Sequence, residues 1–220
     1  MRSEYECLFY HLAAKEALTA KRDGRYNKVN VLTSTLMNQL QAIFTDLATQ
    51  DLKALVIASN KPGIFIAGAD INEIKDITDD QDAATKARQG QAVLDQLSLL
   101  PFPTIAAIQG ACLGGGCELA MLADIIIAGE SAKFGLPEVR LGLFPGLGGT
   151  QRLIRSVGKS LAMKVILAAE FIDASEALRN GLVAEVTKNE NTLERSLEIA
   201  NKIASTAALF RKYFPDASVN

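Results

Sequence analysis

Cysteine is scarce in this 220-residue chain, which contains three: Cys7, Cys112 and Cys117. They form neither an even set nor a C-x-x-C pair, so the sequence argues against a disulfide framework and against a zinc site. Cys112 and Cys117 lie in an apolar, glycine-rich segment, where free thiols are often buried. We therefore expect reduced thiols, a cytoplasmic protein and no bound metal.

Histidine is scarcer still, because His11 is the only one. A Ser-His-Asp hydrolase would depend on it, and the sequence has no G-x-S-x-G nucleophile elbow. The sequence therefore argues against that class of enzyme.

Basic blocks and long apolar runs are also missing. The formal net charge is −2, and no stripe of basic and aromatic residues would support a nucleic-acid partner. Every apolar stretch is interrupted well before the roughly 20 residues that a membrane span needs. Residues 1–25 contain Glu4, Glu6 and Glu16 and no uninterrupted apolar core, which argues against a secretory signal.

The residues that are present predict a packed α/β protein. With 49% hydrophobic and 22% charged residues, the chain suits a single domain over residues 1–220. Short apolar runs predict four buried strands: Ala54–Ala58, Thr104–Ile108, Asp124–Ala128 and Leu182–Val186. Apolar residues at helical spacing, or a position after a glycine-rich turn, predict four helices: Thr33–Thr49, Asp82–Leu99, Cys117–Ala123 and Thr192–Ala204.

Three loops stand out because each follows a strand-like run and precedes a helix. The first, Phe65–Ile71, has small residues that would let a ligand approach the backbone. Asp70 is placed to cap the next helix, and a turn with this cap is the simpler interpretation of the loop taken alone. Further along the chain, Asp173 and Glu176 form a capping-box pattern, and Gly181 is a helix stop.

The second loop, Gly110–Leu119, contains the consecutive glycines 114–116. Such a run is costly in backbone entropy and is tolerated where the chain needs unusual angles or admits a ligand against bare N–H groups. Because these amides open a helix, they can hold a developing anion. A tight turn for close helix–sheet packing is the structural alternative.

Neither glycine-rich loop fits a nucleotide-binding motif. A G-x-G-x-x-G pattern that starts at Gly114 ends on Leu119, and one that starts at Gly146 ends on Gln151. The G-K-S tripeptide of the chain lacks the first glycine of a P-loop five residues earlier.

The third loop, Phe134–Gln151, contains Glu138 in an otherwise apolar run, and Glu118 is likewise set among apolar residues. Carboxylates in apolar surroundings are paired or have a raised pKa, which suits proton transfer near neutral pH. For either glutamate alone, a salt bridge or a surface role is the default interpretation. Together they predict a site with two carboxylates and an anion hole.

These motifs resemble the enoyl-CoA hydratase/isomerase (crotonase) family over about residues 28–205. The matching strings are KVNVL (Lys28–Leu32), IAGADI (Ile66–Ile71), GACLGGGCELAMLADIIIAGESAKFGLPEVRLGLFPGLGGTQRL (Gly110–Leu153) and FIDASEALRNGLVAEV (Phe171–Val186). They look most like the hydratase part of multifunctional fatty-acid β-oxidation subunits. The resemblance implies an α/β spiral of ββα units with C-terminal helices, assembled as a homotrimer or a hexamer.

The resemblance also implies roles for individual residues. The backbone N–H groups of Ala69 and Gly115 would form an oxyanion hole for the thioester, and Glu118 and Glu138 would be the catalytic pair. The expected substrate-binding residues are Lys28, Ala67, Asp70, Ile71, Asn72 and Gly114. No separate cofactor is expected, because coenzyme A is part of the acyl-CoA substrate.

The expected activity is hydration of a trans-2-enoyl-CoA in fatty-acid β-oxidation. Family hydratases use two glutamates, whereas isomerases usually keep an acidic residue at one of the two positions. One alternative is a 3-enoyl to 2-enoyl-CoA isomerase, in which Glu138 alone would move the proton. The other is a catalytically degenerate paralogue that binds acyl-CoA, or that only builds a larger complex.

Both ends depart from the family pattern. In the atypical segment 1–27, the stretch His11–Asn27 is polar and helix-prone where members usually have a β-hairpin. Residues 188–220 form a shortened helical region where members usually continue in helices that cover the acyl pocket.

Two surface features of the C-terminal half complete the expectations. An apolar stripe through Leu197, Ile203 and Leu209 predicts contact with a neighbouring subunit, because its own domain would leave it uncovered. Arg152 and Arg155, on a predicted helix, are interpreted as solvent or interface charges.

Overall fold

The computed structural model describes residues 7–11, 30–50 and 52–213. The strands in these ranges are β1 Cys7–His11, β2 Ala54–Ala58, β3 Ile64–Ile66, β4 Thr104–Ile108, β5 Ala111–Leu113, β6 Ile125–Gly129, β7 Lys133–Gly135, β8 Ile172–Asp173 and β9 Glu185–Thr187. The α-helices are α1 Ser34–Leu47, α2 Ile71–Lys75, α3 Asp80–Ser98, α4 Gly115–Ala120, α5 Gly149–Val157, α6 Lys159–Leu167, α7 Ala174–Arg179 and α8 Thr192–Tyr213. Short 3-10 helices span Pro137–Leu141 and Asn189–Asn191.

The strands form two sheets, which the chain visits in alternation from β2 to β7. One sheet has the order β1-β2-β4-β6-β9 and is parallel throughout. The other has the order β3-β5-β7-β8 and is parallel except for its last pair. The pairs β2–β3, β4–β5 and β6–β7 therefore each add one strand to each sheet before a helical segment, which is the predicted spiral of ββα units.

Strand β2 explains why the first sheet could be predicted from sequence. Leu55 and Ile57 point into the main core, whereas Ala54, Val56 and Ala58 point into a second core on the other face of the sheet. A parallel strand that is buried on both faces is a continuous apolar run. The predicted bounds of β2 and β4 are confirmed, and β6 starts one residue later than predicted.

Helix α8 covers the outer face of that sheet, and this overturns one argument from the sequence. Leu197 and Ile203 pack against the second core of the chain itself, together with Leu193 and Ala200. The side chain of Leu209 lies outside the described residues. The stripe therefore has an internal partner, and it no longer supports contact with a neighbouring subunit.

The strand predicted over Leu182–Val186 is wrong in its first half. Gly181 ends α7 at φ +82°, and the N–H groups of Leu182 and Val183 both donate to the Ala177 carbonyl oxygen. Both side chains are buried in the core. Their apolar character therefore reflects burial in a turn, and the strand β9 starts only at Glu185.

The second sheet was missed because its strands are two or three residues long, too short for a periodic pattern. Three of them, β3, β5 and β7, fall at or within the segments that the sequence marked only as loops. The predicted helix caps are confirmed: Asp70 Oδ1 accepts from the Asn72 amide at 2.8 Å, and Asp173 Oδ1 accepts from the Glu176 amide at 2.7 Å.

Near the N-terminus, β1 pairs in parallel with β2 and ends at His11. This edge strand was not predicted. Most of the helix-prone stretch predicted up to Asn27, and the proposed ligand contact Lys28, lie outside the described residues. Across the described part of the chain, none of the helices combines the length and the apolar character that a membrane crossing requires.

The close approach of α4 to β3 depends on Gly116. A Cβ atom at this position would lie 2.5 Å from the Ile66 carbonyl oxygen and 2.6 Å from the Ile66 Cβ atom. Contacts this short would force the helix away from the strand. The glycine run therefore serves close packing at Gly116, which the sequence analysis had kept open as the structural alternative.

We predict that Gly116→Ala lowers the free energy of unfolding by about 1–3 kcal/mol, the usual cost of overpacking a core. The matched control is Gly90→Ala in α3, whose new Cβ would meet the movable Cδ2 atom of Leu147 at 2.6 Å. There the gain in helix propensity, up to ~1 kcal/mol, offsets the contact. Urea unfolding of both variants checks this, and equal losses of stability would contradict it.

Candidate active site

The three chemistry-bearing loops meet at one edge of the second sheet. Strands β3, β5 and β7 are parallel neighbours, so their carboxyl ends lie at the same edge. The segments that leave them are residues 67–70, 114–118 and 136–138. Ligands of open α/β sheets commonly bind beyond the carboxyl ends of strands. The sheet thus brings together loops that are far apart in sequence.

Two glycines let these loops touch. Gly114 has φ +53° and Gly68 has φ +126°, values that favour glycine. A Cβ atom on Gly114 would lie 3.3 Å from the Gly68 Cα atom and 3.0 Å from Glu138 Oε1. Any side chain at position 114 would therefore fill the space between the first loop and the Glu138 carboxylate.

The backbone next to these glycines presents the amides that were predicted to form the oxyanion hole. The Gly68 carbonyl accepts from the Leu32 amide at 2.8 Å, and the Asp70 amide donates to the Leu32 carbonyl at 3.2 Å. In this parallel bridge the intervening Ala69 N–H points to the other side. Gly115 is the first residue of α4, where an amide has no acceptor within its own helix.

Neither the Ala69 nor the Gly115 N–H donates to an acceptor among the described residues. Backbone N–H groups inside proteins are almost always paired. Two unpaired donors beside the Gly68–Gly114 contact can therefore receive an oxygen atom from a ligand.

Glu118 is fixed in the interior behind this edge. Its side chain is 1% exposed, and Oε1 accepts from the Leu147 amide at 2.7 Å and from the Gly149 amide at 2.8 Å. Burial raises the pKa of Glu118 above the ordinary value, while these two amides and the charge of Arg152 act to lower it. The carboxyl group therefore has a single, well-defined position.

Glu138 is held differently, in the 3-10 helix that follows β7. It is partly buried, and its Oε2 atom is buried without a hydrogen-bond partner among the described residues. Burial, together with the negative charge of Glu118, raises the pKa of Glu138 to about 7. At neutral pH this carboxyl group is therefore poised to give or take a proton.

The expected ligand contacts are only partly free to bind. The amides of Ala67 and Asp70 donate to the carbonyls of residues 30 and 32, and the amide of Asn72 donates to the Asp70 cap. Any contact of these residues with a ligand would have to use other atoms. Ile71, in contrast, is 49% exposed beside the loop.

Arg152 is not the solvent or interface charge that its place in the sequence predicts. Its side chain is 23% exposed and forms an ion pair with Asp95 at 2.6 Å, and Nη1 donates to the Leu147 carbonyl at 2.7 Å. Arg155, on the same helix, is exposed as predicted. The Leu147 and Gly149 amides were also missed, although the run Gly148–Gly149 at a helix start was a signal for them.

The two cysteines of this region are free and buried, as predicted. The Cys112 thiol contacts the Gly116 carbonyl at 3.5 Å, and burial together with the neighbouring Cys117 raises the pKa of Cys112 well above the ordinary value. These thiols therefore pack as small apolar side chains behind the glycine run.

Known proteins resemble this chain in sequence and structure. The family model described as enoyl-CoA hydratase/isomerase matches residues 24–218. The 2,3-dehydroadipyl-CoA hydratase of Escherichia coli (strain K12) is 45% identical over 195 residues, which are 87% of this chain and 73% of that protein.

Solved structures share the fold. An enoyl-CoA hydratase from Bacillus anthracis superimposes with a TM-score of 0.77 at 36% identity, over 82% of this chain and 70% of that one. A structure of Pseudomonas aeruginosa DspI gives a TM-score of 0.77 at 33% identity, over 88% of this chain and 82% of that one.

We predict that Glu138→Gln stabilises the protein at pH 8 and changes its stability little at pH 4. The pKa of the wild-type carboxyl group is about 7 in the folded protein, against an ordinary value of 4.5. Its contribution to stability is therefore fully present below pH 4.5 and is lost as the pH rises through 7. Glutamine does not titrate, so the stability of Glu138→Gln relative to wild type should increase between about pH 4.5 and pH 7.

Thermal melts at both pH values check this, with the exposed Glu194→Gln as the control for loss of one negative charge. If Glu138→Gln were no more stable than wild type at pH 8, the ionised Glu138 carboxylate would not destabilise the folded protein, and its pKa would not be raised by burial.

Proposed function

The chain belongs to the enoyl-CoA hydratase/isomerase family, and we propose that it adds water across the 2,3 double bond of a trans-2-enoyl-CoA. It is a hydratase-type enzyme, a lyase of CoA thioesters. The observation that supports hydration is that two carboxyl groups, those of Glu118 and Glu138, lie beside two backbone amides. These amides, of Ala69 and Gly115, have no acceptor among the described residues.

The proposed reaction places one water molecule between the two glutamates. Glu118 takes a proton from the water as its oxygen bonds to C3 of the acyl chain, and Glu138 gives a proton to C2. The product is the 3-hydroxyacyl-CoA. Glu118 is then protonated and Glu138 ionised, so a proton exchange through solvent restores the starting state.

The Ala69 and Gly115 amides would stabilise the thioester enolate that forms during addition. Their donors are fixed before the substrate arrives, Ala69 by the bridge to Leu32 and Gly115 by the start of α4. Preorganised donors of this kind do not have to reorient in the transition state. Loss of one such donor typically costs about 100-fold to 1,000-fold in kcat.

The division of labour follows from how each carboxyl group is held. Burial raises the pKa of Glu118, but the two amide donors on Oε1 act in the opposite direction and stabilise the ionised form that a base needs. Glu138 has a pKa of about 7, and its Oε2 atom has no partner within the described ranges, so it is substantially protonated near neutral pH and suits an acid. Isomerisation of a 3-enoyl to a 2-enoyl thioester would need only one of them.

The metabolic setting and the assembly belong to the proposal as well. We place the reaction in fatty-acid β-oxidation, where trans-2-enoyl-CoA thioesters are hydrated. We also propose a homotrimer or a dimer of trimers, now without support from the α8 stripe. The single-domain boundaries, the cytoplasmic location and the absence of a separate cofactor stay predictions.

We predict that the purified protein removes the enoyl-thioester absorbance of crotonyl-CoA. Glu118→Gln and Glu138→Gln should each lower kcat by about 100-fold to 10,000-fold, the usual contribution of a general acid or base. If Glu118→Gln kept hydration nearly intact, the two-glutamate mechanism would be wrong, and an assay with 3-enoyl-CoA would then test the isomerase alternative. Binding of a CoA thioester without turnover would favour the degenerate paralogue.

A second substrate separates two acyl classes. The Escherichia coli relative is named for 2,3-dehydroadipyl-CoA, whose acyl chain ends in a carboxylate, whereas crotonyl-CoA ends in a methyl group. We expect kcat/KM to be higher with enoyl-CoA thioesters whose chain ends in a methyl group if the enzyme serves fatty-acid oxidation. A preference of tenfold or more, roughly 1.4 kcal/mol, for the dicarboxylic thioester would instead contradict the β-oxidation assignment.

A further inference from the structure

The loop that holds Glu118 is itself held from the opposite side. Residues 146–149 direct two amides, those of Leu147 and Gly149, towards Glu118 Oε1. The same short segment directs two carbonyl oxygens elsewhere: Gly146 accepts from Gln91 Nε2 at 2.6 Å, and Leu147 accepts from Arg152 Nη1 at 2.7 Å. The loop therefore lies between the buried glutamate and a second set of side chains.

That second set connects the loop to helix α3. Gln91 and Asp95 are four residues apart, so they share one face of the helix. Gln91 contacts the loop directly, and Asp95 contacts it through Arg152, whose Nη2 donates to Asp95 Oδ1 at 2.6 Å. Two successive turns of α3 thus hold successive carbonyls of the loop.

The glycine at position 148 makes room for the guanidinium group. A Cβ atom there would overlap the Nη1 atom of Arg152, and Gly148 has φ +101°. The guanidinium therefore occupies the space where any other residue would place its side chain. The ion pair with Asp95 adds little to this packing, because Asp95 is 50% exposed and exposed pairs contribute only about 0.2–1 kcal/mol.

We propose that Gln91, Asp95 and Arg152 form a clamp that positions the loop 146–149, and that Arg152 is a positioning residue for the catalytic base Glu118. The clamp rests on the proposed function for its kinetic consequence. Its structural part, the placement of the Leu147 and Gly149 amides, stands independently of which reaction the site performs.

The kinetic test is Arg152→Ala, with Arg155→Ala as the matched control on the exposed side of the same helix. We expect kcat for crotonyl-CoA hydration to fall about tenfold to 100-fold with KM changed less than about threefold, since small misplacements of catalytic groups have effects of this size. Arg155→Ala should retain wild-type kcat. A purely structural role for Arg152 would lower the melting temperature and leave kcat per folded molecule unchanged.

A pH profile separates charge from geometry. Among the described residues, the charge of Arg152 lowers the pKa of Glu118, and the charge of Glu118 in turn raises the pKa of Glu138. Arg152→Ala should therefore move the acidic limb of the kcat profile to higher pH. Arg152→Lys keeps the positive charge but loses the two-pronged guanidinium group that reaches both Leu147 and Asp95. The acidic limb of its kcat profile should therefore stay near the wild-type pH, while kcat should still be lower than in the wild type.

The amides themselves provide a readout that needs no activity. In ¹H–¹⁵N spectra, Glu118→Gln should shift the Leu147 and Gly149 resonances and so identify them. Arg152→Ala and Gln91→Ala should shift the same two resonances and speed their hydrogen exchange about tenfold or more, as expected for a loop that opens locally. Unchanged shifts and exchange in both variants would overturn the clamp, even if the kinetics changed.

The two proposals fail in different ways. A wild-type protein that does not hydrate enoyl-CoA, but whose two amides respond to Arg152→Ala, would refute the proposed function and support the clamp. An active wild type whose Arg152→Ala variant keeps kcat, the acidic limb and the amide shifts would refute the clamp and leave the hydratase proposal standing. If Arg152→Ala does not fold, Gln91→Ala and Asp95→Asn carry the same measurements.

Discussion

The site depends on keeping the carboxylate of Glu118 inside the protein. A buried carboxylate is stable only when protein donors replace the water that it has lost. Here the replacements are two backbone amides, at 2.7 and 2.8 Å, and they have to arrive from a loop about thirty residues further along the chain. The fold of residues 146–149, the glycines within them and the contacts of Arg152 all serve this one hydrogen-bonding requirement. A side-chain donor would be mobile, whereas a backbone amide is as fixed as the loop that carries it.

Glycine makes the rest of the geometry attainable, for a different reason at each position. At Gly116 the helix approaches β3 so closely that a methyl group would not fit, and at Gly114 the backbone has a positive φ and leaves open the space in front of Glu138. The consecutive glycines that looked like one signal in the sequence therefore combine close packing with access for a ligand. The structural interpretation is confirmed at Gly116, and the functional one stays a prediction for Gly114 and Gly115.

Glu138 shows what the site costs in stability. Its carboxyl group is partly buried, has a buried oxygen with no partner in the described part of the chain and lies within reach of the charge on Glu118, and each of these disfavours its ionised form. A protein selected only for stability would place an apolar or a paired residue there. The unpaired oxygen is understandable if water or substrate completes its hydrogen bonding during the reaction. Strain and unmet polar groups are expected where function, and not folding, determines the residue.

The amino-acid sequence alone determined the family resemblance, the α/β class, the central strands β2, β4 and β6 of the first sheet and the choice of the two candidate glutamates. These follow from local information, because a strand buried on both faces is a recognisable apolar run and a carboxylate among apolar residues is conspicuous. Only the tertiary structure decided that the three loops leave one sheet edge, that the α8 stripe has a partner inside the chain, and that Arg152 faces inward. Pairing of two- or three-residue strands and the direction of a side chain depend on contacts between segments far apart in sequence, which no local pattern encodes.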